Sequence, residues 1–169
     1  MFVRRFLKTG WDIQARRLRV VPYPKSIGSG KSLIEKQLEA QVRAFRSRDS
    51  HTATVLMVVR DADELPAAEA KALLDQTPPS ARHVDERIVY VLPKWHIETW
   101  LAYLAGVSVD EDEKREYKNR YGQIAKWKEC HPLIDQLASK CREGTPLNAP
   151  PPSLVEACKE FERIRDALR

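Results

Sequence analysis

The chain has 169 residues, 43% of them hydrophobic and 31% charged, with a formal net charge of +5. That is enough for one core of ordinary domain size plus an appendage. It excludes a membrane-spanning helix, because no apolar run approaches the ~18 residues that signal one. The start, "MFVRRFLKTGWD", carries neither the apolar stretch nor the small-residue cleavage site of a secretory signal.

The net charge hides an asymmetry. Residues 1–60 hold 13 Lys/Arg against 4 Asp/Glu, a net of +9, whereas residues 61–169 hold 16 against 20, a net of −4. A basic first third points to a polyanionic partner, most commonly nucleic acid. A solvated Arg-rich helix face accounts for the same count. Cys130, Cys141 and Cys158 are an odd number with no tight spacing, which predicts reduced thiols in the cytoplasm.

In chain order, Phe2, Val3, Phe6 and Leu7 are spaced for a helix face that stops at Gly10. "RLRVVP" (17–22) alternates like a short strand. "YPKSIGSGKS" (23–32) resembles a phosphate-binding loop, but the fingerprint requires a glycine where Lys25 stands, and Gly28 lies too close to Gly30 to wrap a pyrophosphate. What survives is a loop in which Gly28 and Gly30 allow close backbone approach and Lys31 opens a helix, whose N-terminus favours anions. Residues 31–48 form a long amphipathic helix with Leu38, Val42 and Phe45 on one side. "TATVLMVV" (52–59) is a β-branched apolar run, as expected of a strand buried on both faces. "PAAEAKALLDQ" (66–76) begins a helix at Pro66. "RIVYVLP" (87–93) is a further strand, and "KWHIETWLAYLAG" (94–106) a helix closed by Gly106.

This alternation predicts an α/β fold with an open, mostly parallel sheet and helices on both faces. Beyond Gly106 the character changes. "DEDEKREYKNRYG" runs from acidic to basic, as suits a helix macrodipole. Helical patterns follow, broken by "GTPLNAPPPS" (144–153), with a last helix from about 154 to 168. The expected organisation is an α/β core over 1–108 and a helical extension over 109–169.

Asp61 and Asp63 directly follow the central strand. Sites in open α/β sheets form at the carboxyl ends of strands, and a D-x-D turn directs two carboxylates toward one point. Hard oxygen ligands suit Mg²⁺ or Mn²⁺. Asp in a turn also bonds nearby backbone amides without any metal. Glu98 follows the next strand by one short turn and reaches the same edge if the two strands share a sheet; taken alone, it is an acid favoured by a helix N-terminus. Arg60 is placed either to contact a phosphate or to pair with Asp61 or Asp63. Together the three carboxylates form a plausible one- or two-metal phosphodiester site.

A helix, a strand, a glycine loop, a long helix and an apolar strand ending in D-x-D resemble the Toprim (topoisomerase-primase) fold over roughly residues 1–105. "VLMVVRDADE" is similar to its second acidic motif, and "LPKWHIETWLAYL" to a segment of small Toprim-like proteins and of nucleases of the overcoming-lysogenization-defect type. The resemblance implies breaking or joining of DNA or RNA backbones dependent on Mg²⁺ or Mn²⁺, and suggests a role in defence against phage. It assigns Asp61 and Asp63 as metal ligands, Glu98 as the later glutamate, and Gly28 and Gly30 to the loop before the helix, where Lys31 with Arg60 would hold phosphates. The family's first motif, a glutamate ending the strand before the first helix, is not found in a sequence that opens in the "FVRRFL" helix: either the start lies upstream or this member has lost the residue.

That departure favours a second reading, a non-catalytic nucleic-acid- or protein-binding module on the same fold. A third is a phosphohydrolase or phosphotransferase acting on small nucleotides. Zinc at Cys130, His131, Cys141 and Cys158 is disfavoured, because adjacent Cys-His rarely ligate one ion and no C-x-x-C occurs. No G-x-S-x-G elbow supports a serine nucleophile. His96, two residues from Glu98, is a candidate for acid/base chemistry or simply a packed side chain.

Overall fold

In a computed structural model, residues 2–21, 31–49, 54–76, 81–112, 117–121 and 129–168 are described. The loop residues Gly28 and Gly30, and the side chain of Lys31, lie outside them.

The elements are α1 (Phe2–Arg5), continued by a π turn (Phe6–Gly10), a 3₁₀ turn (Ala15–Arg17), α2 (Lys31–Asp49), β1 (Leu56–Val59), α3 (Ala67–Gln76), β2 (Ile88–Val91), α4 (Glu98–Leu104), α5 (Tyr117–Tyr121), α6 (Cys130–Glu143), α7 (Pro152–Arg163) and a closing 3₁₀ turn (Arg165–Leu168). The fold is α/β and mostly helical. Its sheet is two parallel strands in the register Leu56↔Ile88 to Val59↔Val91. Parallel strands need a crossover connection, and α3 supplies it.

Helices cover both faces. Alternate residues Ile88, Tyr90 and Leu92, with Leu56 and Val58, pack against Leu38, Val42 and Phe45 of α2 and Ala67, Ala70 and Leu74 of α3. The other residues of the pleat, Val89, Val91 and Met57, join a larger core with Phe2 and Phe6, Trp100 and Leu101 of α4, Ile134 and Leu137 of α6, and Leu154 and Phe161 of α7. The helices beyond residue 108 therefore share a core with the N-terminal segment. Gly10 allows that packing: a Cβ there would collide with Ala138 of α6.

Two expectations are corrected. Residues 17–21 are not a strand: Arg17 ends a 3₁₀ turn, residues 18–21 are irregular, and Val20 and Val21 are 55% and 51% exposed. Alternation marks a strand only where a neighbour accepts the ladder, and no described strand pairs there. β1 is also less buried than its apolar run predicts. β2 is buried throughout, but β1 is only half-buried and Val59 is 50% exposed, because no described strand flanks β1 on its outer side.

The outer edge of β2 is closed by side chains. Glu160 of α7 accepts from the Tyr90 N–H at 3.2 Å, while Arg82 donates to the Ile88 carbonyl at 2.7 Å and Arg163 donates to the same oxygen. Arg82 also donates to both carboxylate oxygens of Glu160 and to Asp75 at 2.8 Å, and its guanidinium lies 4.3 Å from the Tyr90 ring centroid.

The expectation of three reduced cysteines is likewise corrected. Cys141 of α6 and Cys158 of α7 form a disulfide, with Cα atoms 5.1 Å apart, and the buried Cys130 is not part of it. A separation of 17 residues shows no pairing in the sequence. The turn after α6, where Gly144 adopts a left-handed conformation (φ 69°), brings α7 back alongside.

Candidate functional site

The two strands remain paired past their regular ends. The Arg60 N–H donates to the Val91 carbonyl at 3.2 Å, Ala62 to Pro93 at 2.9 Å and Trp95 to Asp63 at 3.4 Å. Asp63 and Trp95, joined by that last bond, both have left-handed backbones, with φ of 55° and 65°. For residues other than glycine such conformations cost about 1–3 kcal/mol each, and they gather at functional sites. They end both strands at one level, with Asp61 and Asp63 on β1's side and His96 and Glu98 on β2's.

Alternation along β1 separates the neighbours of the D-x-D. Leu56, Val58 and Ala62 face α2 and α3, so Arg60 shares their face, whereas Asp61 lies on the side of α4 and α5. No ion pair joins Arg60 to Asp61 or Asp63 among the described residues, and the Arg60 Nε is buried without a hydrogen-bond partner.

Glu98 is the first residue of α4, where the helix dipole favours a carboxylate. Its Oε2 lies 3.8 Å from the His96 Nδ1, which is also 3.4 Å from the Thr99 hydroxyl. The loop that carries them is tacked down: the Trp95 indole N–H donates to the Glu111 carbonyl at 3.2 Å, and the Lys94 Nζ lies 3.3 Å from Asp112. The buried Glu111 carboxylate in turn accepts from the Ser153 N–H at 2.9 Å and from the Ser153 hydroxyl, capping α7, while the Ser153 hydroxyl accepts from the Trp100 indole at 2.7 Å.

Asp61 is exposed on one side. Burial of the remainder and the nearby Asp63 carboxylate nonetheless raise its pKa above the ordinary value; Glu98 adds to the rise, and His96 and Lys118 oppose it. Both of the other acids expected from the sequence, Asp63 and Glu98, therefore lie within electrostatic reach of Asp61. Among the described residues, however, no group of three or more His, Cys, Asp or Glu side chains is placed to hold a metal ion together. The donor set fits an open site: Mg²⁺ is typically held by one or two carboxylates, the rest of its shell coming from water and substrate phosphate.

The sequence shows α5 as a helix but not its place beside the site. Tyr117 packs edge-on against His96, with ring centroids 6.4 Å apart, and places Lys118 within electrostatic reach of Asp61. The readable signal was the spacing of Tyr117 and Tyr121, which buries both and turns Lys118, Asn119 and Arg120 outward. No protein-family model, curated protein or solved structure matches the chain.

Proposed function

We propose that the chain binds nucleic acid and cleaves or remodels its phosphodiester backbone with the help of Mg²⁺ or Mn²⁺ at the acidic edge. What supports this reading is that Asp61, just past the carboxyl end of β1, has its pKa raised by burial and by the carboxylates of Asp63 and, less strongly, Glu98, beside the paired end of β2. Like charges held together raise one another's pKa and are relieved by a cation. Asp61 with Asp63 or Glu98 would hold the metal, which when bound polarises a phosphoryl oxygen and lowers the pKa of a bound water. The chain's own residues do the remainder: the helix N-terminus orients Glu98, and Glu98 and Thr99 fix the His96 ring through Nδ1. Asp61→Ala is expected to reduce Mn²⁺-dependent cleavage of DNA or RNA by more than the ~10–100-fold typical of residues one shell removed from a metal. Equal cleavage by wild type and variant contradicts the proposal.

That no three side chains among the described residues are placed to hold a metal ion together favours one second reading, a module that binds nucleic acid without cutting it. It predicts salt-sensitive retention of nucleic acid in EDTA and no cleavage with any divalent ion.

A further inference from the structure

The acidic edge has a basic rim that the functional reading above does not use. α5 is anchored by Tyr117 and Tyr121, 6% and 5% exposed, and lies against α4. Its Lys118 and Arg120 are exposed and form no ion pair among the described residues. The Arg120 guanidinium lies 5.4 Å from the Tyr121 ring centroid, which steadies it on the surface. Among the described residues the Tyr117 hydroxyl, buried beside His96, has no hydrogen-bond partner, and a buried polar group left unmatched calls for an explanation.

A carboxylate floor repels a polyanion, so a nucleic-acid backbone can settle there only if positive charge stands at its margin. From the contact of Tyr117 with His96, the anchoring of α5 and the outward placement of two cations that form no ion pair among the described residues, we infer that α5 grips the phosphodiester backbone. Lys118 holds the phosphate next to the carboxylates, and Arg120 extends the grip along the strand. The inference rests on the proposed function and assigns the substrate-holding role to an element outside the D-x-D and Glu98 segments.

The test is oligonucleotide binding by fluorescence anisotropy in EDTA, with single-stranded and duplex DNA and RNA, across a salt series. It compares wild type, Lys118→Glu, Arg120→Glu, the double variant, and Arg142→Glu on α6 as an exposed-charge control. All the altered side chains are solvent-exposed, and circular dichroism verifies folding. Each lost phosphate contact lowers the slope of log K against log salt by about 0.7–0.9. The double variant is expected to bind several-fold or more weakly, with a slope smaller by about two contacts, while Arg142→Glu stays near wild type. Wild-type binding with an α5 double variant indistinguishable from the control overturns the inference and leaves the proposed function standing. Failure of the wild type to bind any of the four nucleic acids overturns both.

Discussion

Asp61 sits where its negative charge is poorly accommodated. Burial and the Asp63 carboxylate lift its pKa, and Glu98 adds to the rise. Because the folded-state value lies above the ordinary 3.8, the group contributes stability only while protonated, and that contribution is lost as pH rises through the raised value. At neutral pH the charged Asp61 is therefore a liability to the fold. Asp61→Asn is expected to raise the melting temperature at pH 7 while removing metal-dependent function. The difference should close as pH falls below about 3.8, where wild type is also neutral. A variant less stable than wild type at pH 7 would show that the carboxylate supports the fold instead. The position of the D-x-D just past the strand end was legible, because it follows an apolar run. The opposite placement of Arg60 was not: it follows from the parity of the strand, which is settled only once Leu56, Val58 and Ala62 are known to face α2 and α3.

Among the elements, the β2 edge shows how a two-stranded parallel sheet avoids an exposed ladder. Glu160 and Arg82 occupy the hydrogen-bonding positions where a third strand would stand. Both are nearly buried, their side chains 5% and 8% exposed. Burial works against the charge of Glu160, but hydrogen bonds from Arg82 and the Tyr90 N–H, with the nearby cations, hold its pKa below the ordinary 4.5. Its stabilising contribution is thus present above about pH 4.5 and lost as pH falls through the depressed value. Glu160→Ala leaves Arg82 with only Asp75 and the Ile88 carbonyl and strips the Tyr90 N–H of its partner, and is expected to cost about 1–3 kcal/mol in urea unfolding at pH 7. A loss under about 1 kcal/mol would mean that Asp75 and the backbone carbonyls alone satisfy Arg82. The main helices and both strands were legible from periodicity, with ends displaced by a few residues. The helix expected at 94–106 begins only at Glu98, because the left-handed Trp95 interrupts it. The strand expected at 17–22 failed because alternation describes one strand's faces and says nothing about whether a partner edge exists.

For the whole molecule, composition changes near residue 108, but packing does not follow it. α6 and α7 share a core with α1, α4 and β2, and the Cys141–Cys158 disulfide ties the two late helices to each other. The sequence divides into a basic first third and an acidic remainder, yet the candidate site draws on the strand ends, α4 and α5 together, so its positive charge comes from within the acidic part. Such convergence depends on long-range contacts that no local pattern encodes, which is why α5 was read only as a helix with a favourable dipole.

The central claim, a divalent-cation site centred on Asp61, is tested most directly by calorimetric titration of Mn²⁺ into the wild-type chain and into Asp61→Ala. The account predicts saturable binding by the wild type that is lost in the variant, with both proteins folded. Equal binding by the two, or none by the wild type, would contradict it.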